Sequence, residues 1–456
     1  MSFTRSLLAA GVAAVALTAV TGAARADDSL TYAGITLYGT VDIDVTNQNH
    51  GSGLNADMPT TANYLVMKSN SRSQTLLAAN GLSQSNIGLK GDERLTDRLD
   101  FIFKVEAGFD PTLAGIRLAN GPGSIKSNNG VPLSQQSSNG DSSRAGQFDN
   151  AAGFVGLKDK TFGTLTVGRQ TTPLADDIGT YDPNHGSYAF AVIGFSGAAA
   201  GGGTTEDARY DDSIKYTGQY GMFRTALMYQ PGGNQYQIGY GMEKTGSAEQ
   251  IDVGADYAGL SGDAIFAHKN DAVALGAYLP SAANSLTYGN NLAATVSDNT
   301  TLGLLLKYKF GQQTTLFGGY EHITMANPAN PFHIGNGLGD YGIVANTNAF
   351  GRDKRLAIYW TGVAYQPLEK LTLTGAYYGY AQGAFGTSGA TATCSDSSSA
   401  YCSGNLNAGS FDAVYALTHH IDVYGGVMYS IVSGGMANGY LHNNTVSTTT
   451  GVRVKF

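Results

Sequence analysis

Thr448 to Phe456 reads TTTGVRVKF. Val452, Val454 and Phe456 share one parity, and Gly451, Arg453 and Lys455 share the other. A strand whose side chains alternate in polarity separates an oily medium from a wet one. The same split recurs upstream. Leu302, Leu304, Leu306, Tyr308 and Phe310 stand against Thr301, Gly303, Lys307 and Lys309, and Ile421, Val423, Val427, Tyr429 and Ile431 stand against Asp422 and Ser430. The fold turns on whether the oil is a protein core or a lipid bilayer.

The N-terminus bears on that choice. Arg5 supplies a positive charge, Leu7 to Val20 is apolar, and Ala24-Arg25-Ala26 is a small-x-small cleavage site. Residues 1–26 therefore read as a cleaved secretory signal, leaving 27–456 as one domain. Its removal takes away Arg5 and Arg25, so the formal charge moves from −8 to −10, 25 basic against 35 acidic groups. An acidic chain gives no support for nucleic acid as a partner. Beyond the leader no run of about 18 apolar residues exists that would make a spanning helix. Pro is scarce at 11, while Gly at 62 and Tyr at 27 are abundant, which suits long antiparallel strands with aromatic belts.

Sixteen strand-like segments fall at 35–45, 84–93, 99–109, 150–158, 163–170, 209–217, 222–230, 249–258, 263–270, 301–310, 314–323, 355–366, 371–382, 409–418, 421–432 and 447–456. Stretches 235–243, 272–278 and 291–298 leave room for eighteen. Short connections alternate with long Gly/Asn/Ser/Thr-rich ones at 46–83, 110–148, 171–208, 231–248, 271–299, 324–354, 383–408 and 433–446. A globular sandwich has no reason to sort its loops so; an all-β transmembrane antiparallel barrel does, with short periplasmic turns and long extracellular loops.

The polar faces carry charge. Leu37, Val41, Ile43 and Val45 oppose Tyr38, Thr40, Asp42 and Asp44; Ile87 and Leu89 oppose Asn86 and Lys90; Phe101, Phe103 and Val105 oppose Lys104 and Glu106; Ile214 and Tyr216 oppose Arg209, Asp211, Ser213 and Lys215. A dry core could not take these charges unpaired, whereas a water-filled lumen can. Cys394 and Cys402 lie in a small-residue stretch of a chain bound for an oxidising compartment, so a disulfide is favoured over a metal site, which would want further ligands nearby.

Six segments in order resemble the trimeric general porins of Gram-negative outer membranes, most like the beta-proteobacterial type. They are ITLYGTVDIDV (Ile35–Val45), SNIGLKGDERL (Ser85–Leu95), GFVGLKDKTFGTLTVGRQ (Gly153–Gln170), ARYDDSIKYTG (Ala208–Gly218), VYALTHHIDVYGGVMYS (Val414–Ser430) and the terminal GVRVKF. The resemblance implies a homotrimer of water-filled barrels in outer-membrane lipid and lipopolysaccharide, passing small hydrophilic solutes, with no cofactor. It implies that a third loop, here 171–208, folds into the lumen. Asp176, Asp177 and Asp182 are then the acidic constriction. Arg209, Arg169, Lys90, Lys104 and Lys215 are the basic wall candidates, and Asp42 and Glu106 are lumen residues. Each lysine reads equally as a plain solvated wall charge. Arg169 shares the parity of Leu165 and Val167, so its direction stays open. Where such porins set a basic ladder, this chain has Thr40, Asn86 and Ala151. With that ladder thinned and the net charge negative, a weak preference for cations is expected. Loop 110–148 matches the position of the family's latch to a neighbouring subunit, and equally reads as a plain surface loop.

Catalysis finds little footing. The eight histidines fall mostly in loops or turns, no GxSxG or HExxH pattern is present, and the Asp176-Asp177 pair reads as fixed charge rather than an acid/base couple. Two other readings stay open: a channel guided toward one solute class, and a narrow barrel whose long loops serve adhesion or structure.

Overall fold

The computed structural model describes residues 30–49, 73–112, 117–118, 151–193, 209–232, 247–270, 298–327, 329, 351–386, 394–396, 401–437 and 442–456. The barrel strands are β1 (Ile35–Gln48), β2 in two pieces (Gln74–Ala79 and Asn86–Arg94), β3 (Leu99–Asp110), β4 (Ala152–Asp159), β5 (Gly163–Thr171), β6 (Arg209–Tyr220), β7 (Phe223–Gln230) and β8 (Ala248–Tyr257). They continue as β9 (Leu260–Lys269), β10 (Asp298–Phe310), β11 (Thr314–Ala326), β12 (Lys354–Leu368), β13 (Leu371–Gln382), β14 (Gly404–Ala416), β15 (Ile421–Gly434) and β16 (Asn444–Lys455). Each pairs antiparallel with the next, and β16 pairs with β1, so the sheet closes as a sixteen-strand barrel without a free edge.

The closure uses the feature that marked the sequence. Val452 lies opposite Ile43 and Arg453 opposite Asp42. Phe456 then exchanges backbone hydrogen bonds with Gly39, at 2.9 and 3.0 Å. A Cβ at Gly39 would meet the Phe456 ring and the Asn86 carbonyl, so only glycine lets the terminal aromatic lie over this strand.

All sixteen expected segments are strands, and several, β1, β10, β11, β14, β15 and β16 among them, run further toward the long-loop end. The piece Gln74–Ala79 lies inside what reads as loop, and β14 begins at Gly404 rather than 409. The reason is physical. Above the oily band the strands keep their ladders while both faces become polar, as in Thr46 with Thr449 at 2.8 Å and Asn47 with Thr75 at 2.7 Å. Hydrophobic alternation stops where lipid stops; hydrogen bonding does not. The stretches 235–243, 272–278 and 291–298 apart from 298, and the loop 110–148 apart from 110–112 and 117–118, lie outside the described residues, as does the leader.

The outward row exposes large apolar side chains, among them Leu302, Leu304, Leu306, Ile251, Val253, Leu227 and Phe411. A continuous exposed apolar belt of this kind is a lipid contact. Among the described residues no helix is long and apolar enough to cross a membrane, so the strands do the crossing. Inward positions carry Asp42, Asp44, Glu106, Lys215, Asp252, Asp263 and Asp412.

Candidate pore constriction

The chain leaving β5 turns inward over residues 172–193. Its first segment is helix α1 (Pro173–Tyr181). Thr172 caps it, accepting at Oγ1 from Ala175 N at 3.2 Å, and Pro173 fills the first turn, where no backbone N–H is needed. Leu174, Ile178 and Tyr181 fall at helical spacing and are buried.

What they bury against is the lumen wall itself. Ile265, Leu305, Ile323, Met325, Leu356, Ile358 and Trp360 of β9 to β12 form one apolar cluster with the helix and with Val192 and Ile193. Burying a large apolar side chain gives about 1.5–3 kcal/mol, so this patch is what draws the loop inside. Polar bonds then fix its path. Gln250 Oε1 accepts from Leu174 N at 3.0 Å, and Tyr181 Oη shares a bond with Ser261 at 2.9 Å. Trp360 Nε1 donates to the Tyr181 carbonyl at 3.0 Å, and Tyr380 Oη to the Val192 carbonyl at 2.7 Å. Asn184 Nδ2 donates to Tyr378 Oη and Ser410 Oγ. On the far side, Ser187 Oγ donates to the Gly81 carbonyl at 2.7 Å and Ala189 N to the same oxygen at 3.0 Å. The loop thus docks on β8 to β14 and reaches the break between the two pieces of β2.

That break is held by Asp42. Its Oδ2 accepts from Leu82 N and Ser83 N, each at 2.9 Å, and its Oδ1 from Tyr424 Oη at 2.5 Å. Asp42 points inward as expected, yet it is fully buried and shapes a docking ledge rather than presenting charge to water.

The expected acidic constriction divides. Asp176 is exposed and pairs with Lys215, which also donates to the Thr171 carbonyl at 2.9 Å. Asp177 is turned into the wall toward Asp252 and Asp263. Asp182 is wholly buried, accepting from Tyr378 Oη at 2.6 Å and Gly186 N at 2.7 Å. Burial pushes its carboxyl up to about 6, against the lowering pull of those two bonds. Asp177 and Asp182 therefore depart from the role of open pore charges; the i, i+1 and i+6 spacing that groups the three in sequence spreads them around the helix.

The basic candidates also separate. Lys90 is exposed beside the Tyr38 ring, 5.3 Å from its centroid; Lys104 sits 5.5 Å from the same ring and 3.0 Å from Glu106. Tyr38 Oη donates to Glu106 at 2.8 Å. These four make one polar cluster on the β1–β3 wall. Lys215 is nearly buried in its pair with Asp176. Arg169 is buried and stands at a bulge, where the register of β5 on β6 shifts between Gly168 and Gln170. Across it Asp212 takes φ +50°. The extra residue resets the parity count, so Tyr210, not Arg209, continues the inward row, with its hydroxyl accepting from Gln250 Nε2 at 3.1 Å. Arg209 is half-buried near Tyr188 of the loop.

Sequence reasoning missed two things. The apolar inward row from Ile265 to Trp360 breaks the oily/wet alternation, and that break is the readable sign of a docking patch. Arg224 was not singled out, although it donates to Tyr181 Oη at 2.5 Å and grips Asp263 at 2.8 and 3.1 Å. Cys394 and Cys402 form the expected disulfide, Cα atoms 5.9 Å apart.

A closed barrel with an oily exterior, a charged interior and a loop folded into its bore has the architecture of an outer-membrane β-barrel. The chain belongs to the Gram-negative porin family, whose model matches residues 13–435. An outer membrane porin protein of Bordetella pertussis is 28% identical over 223 residues, 48% of this chain and 46% of that protein, so the match spans about half the length of that curated relative. Among solved structures, the anion-selective porin from Comamonas acidovorans superposes with a TM-score of 0.61 at 18% identity, covering 92% of this chain and 99% of that one. OmpT of Vibrio cholerae gives 0.56 at 13% identity, covering 94% and 100%. At these identities the likeness is one of fold. Family and fold place the chain in the outer membrane, and they are those of a channel rather than an enzyme.

Proposed function

We propose that the protein is a passive diffusion pore for small hydrophilic solutes and ions, narrowed by the loop that begins at Thr172, and working as a homotrimer without catalysis. The observation that carries this is the placement of the loop. It docks on an apolar patch along one side of the bore, and the polar Tyr38–Lys90–Lys104–Glu106 wall stands outside that docking surface. Sixteen strands enclose more space than side chains alone fill, leaving an aqueous path.

Charge selectivity is read as weak. The cation preference expected from sequence drew on the thinned basic ladder and the negative net charge; of the three loop carboxylates that would add to it, two face the wall and the third is paired with Lys215. Lys90 and Lys104 offer the opposite sign, that of the anion-selective Comamonas acidovorans neighbour. Exposed charges of both signs across a wet gap largely offset one another.

Planar-bilayer recording tests the proposal. A diffusion pore gives conductance that rises with salt and does not saturate at low solute concentration. Saturation by one solute class would favour a guided channel, and conductance near zero would leave an adhesive or structural barrel.

A further inference from the structure

We propose that Asp177 of α1, Asp252 of β8 and Asp263 of β9 bind one calcium ion, which fastens the inserted helix to the barrel wall. The three carboxylates each offer an oxygen, and these oxygens lie within 4.8 Å of one another. Two oxygens on opposite sides of a calcium ion stand about 4.6–5.2 Å apart, twice a calcium–oxygen bond of 2.3–2.6 Å. All three residues are more than nine-tenths buried. Within that buried cluster Asp177 Oδ2 and Asp252 Oδ1 have no hydrogen-bond donor among the described residues. A buried carboxylate oxygen without a donor is costly unless something positive meets it.

The local charge count points to a dication. Arg224 grips Asp263 through two nitrogens and also pairs with Asp256, and Lys307 lies close to Asp256, Asp263 and Arg224. Asp176 already pairs with Lys215. Four carboxylates (Asp177, Asp252, Asp256 and Asp263) then face two cations, which leaves two negative charges. An all-oxygen set selects a hard cation over zinc or copper. The guanidinium beside Asp263 and the cost of stripping water place the affinity in the weak range of extracellular calcium modules, about 10⁻⁴–10⁻³ M. The ligands stand on three separate elements, so no sequence motif announces them.

The alternative is a cluster held by Arg224 and Lys307 alone, with no ion. Calorimetric titration of calcium chloride into the detergent-folded full chain, stripped with a chelator, separates the two. One calcium equivalent should bind to the unaltered chain and to Asp92→Asn, an exposed rim control, while Asp177→Asn and Asp252→Asn should lose that equivalent or bind at least tenfold more weakly. Calcium should also slow proteolytic cutting of the loop in the chain but not in those two variants. Unchanged stoichiometry in both variants, or no site in the folded chain at millimolar calcium, overturns the proposal. If Asp252→Asn fails to fold, Asp177→Asn decides, because its side chain belongs to the loop and not to the ladder.

Discussion

Trp360 and Tyr181 lie 179 positions apart in the chain and are joined by a single bond: the indole Nε1 donates to the Tyr181 carbonyl at 3.0 Å. Tyr181 ends α1, where carbonyls lack helical partners, and Trp360 is the only tryptophan in the chain and 3% exposed. The barrel wall therefore caps the helix that narrows its own bore.

Trp360→Phe keeps most of the apolar contact and removes the donor. A buried carbonyl left unpaired costs about 1–3 kcal/mol. The expected outcome is a lower unfolding midpoint in detergent and more frequent current flicker, with strand content by circular dichroism unchanged. A variant as quiet as the parent in single-channel records would show that this bond does not hold the loop.

The disulfide Cys394–Cys402 closes a small ring, eight positions apart, next to β14. Loop-closure entropy for a ring of this size amounts to about 2–3 kcal/mol. Because both cysteines lie outside the ladder, reduction should speed proteolytic cutting between them while barely moving single-channel conductance. A large conductance change on reduction would mean that this loop reaches the pore.

Much of this was legible in the sequence, for a reason that also sets the limit. Period-two alternation records the two media, so Val452 against Arg453 and Leu304 against Lys307 place strands and faces directly. It does not record what happens inside the lumen. Leu305, Ile323 and Trp360 are inward and apolar because α1 covers them, and Asp182 is acidic yet sealed. The bulge at Asp212 likewise breaks the count that assigned Arg209 to the lumen row. The helix itself was announced by Thr172-Pro173 and the Leu174, Ile178, Tyr181 spacing, but within a stretch read as loop.

Asp182 gives the constriction a pH dependence. Its carboxyl sits at about 6 against an ordinary 3.8, raised by burial and held down in part by Tyr378, Gly186 and nearby His185; Asp412 of the wall is also close. The folded state holds this proton more tightly than the unfolded chain does. Stability therefore falls as pH rises from about 4 to about 6 and is level above, a span worth about 3 kcal/mol at most. Asp182→Asn can keep both contacts, its Oδ1 accepting from Gly186 N and its Nδ2 donating to the Tyr378 hydroxyl, so the fold should survive the change. The variant should lack that slope. Denaturation midpoints of parent and variant, compared between pH 4 and 7, test this; parallel profiles would remove Asp182 as the group responsible.

The charges at the loop and on the facing wall set the last expectation. Asp176 and Lys215 neutralise each other at the start of α1, while Lys90 and Lys104 stand over the Tyr38 ring on the wall. In a water-filled gap one unit charge acts on an ion at 4–8 Å with about 0.5–1 kcal/mol, a factor of about 2–5 in relative permeability before salt screening. Lys215→Met releases Asp176 and should move the reversal potential in a salt gradient toward cations. Asp176→Asn should move it toward anions, and Lys90→Glu toward cations again. The three shifts should shrink together as salt is raised. If Lys90→Glu changes nothing while the Asp176 and Lys215 variants do, ions pass along the loop and not along the β1–β3 wall.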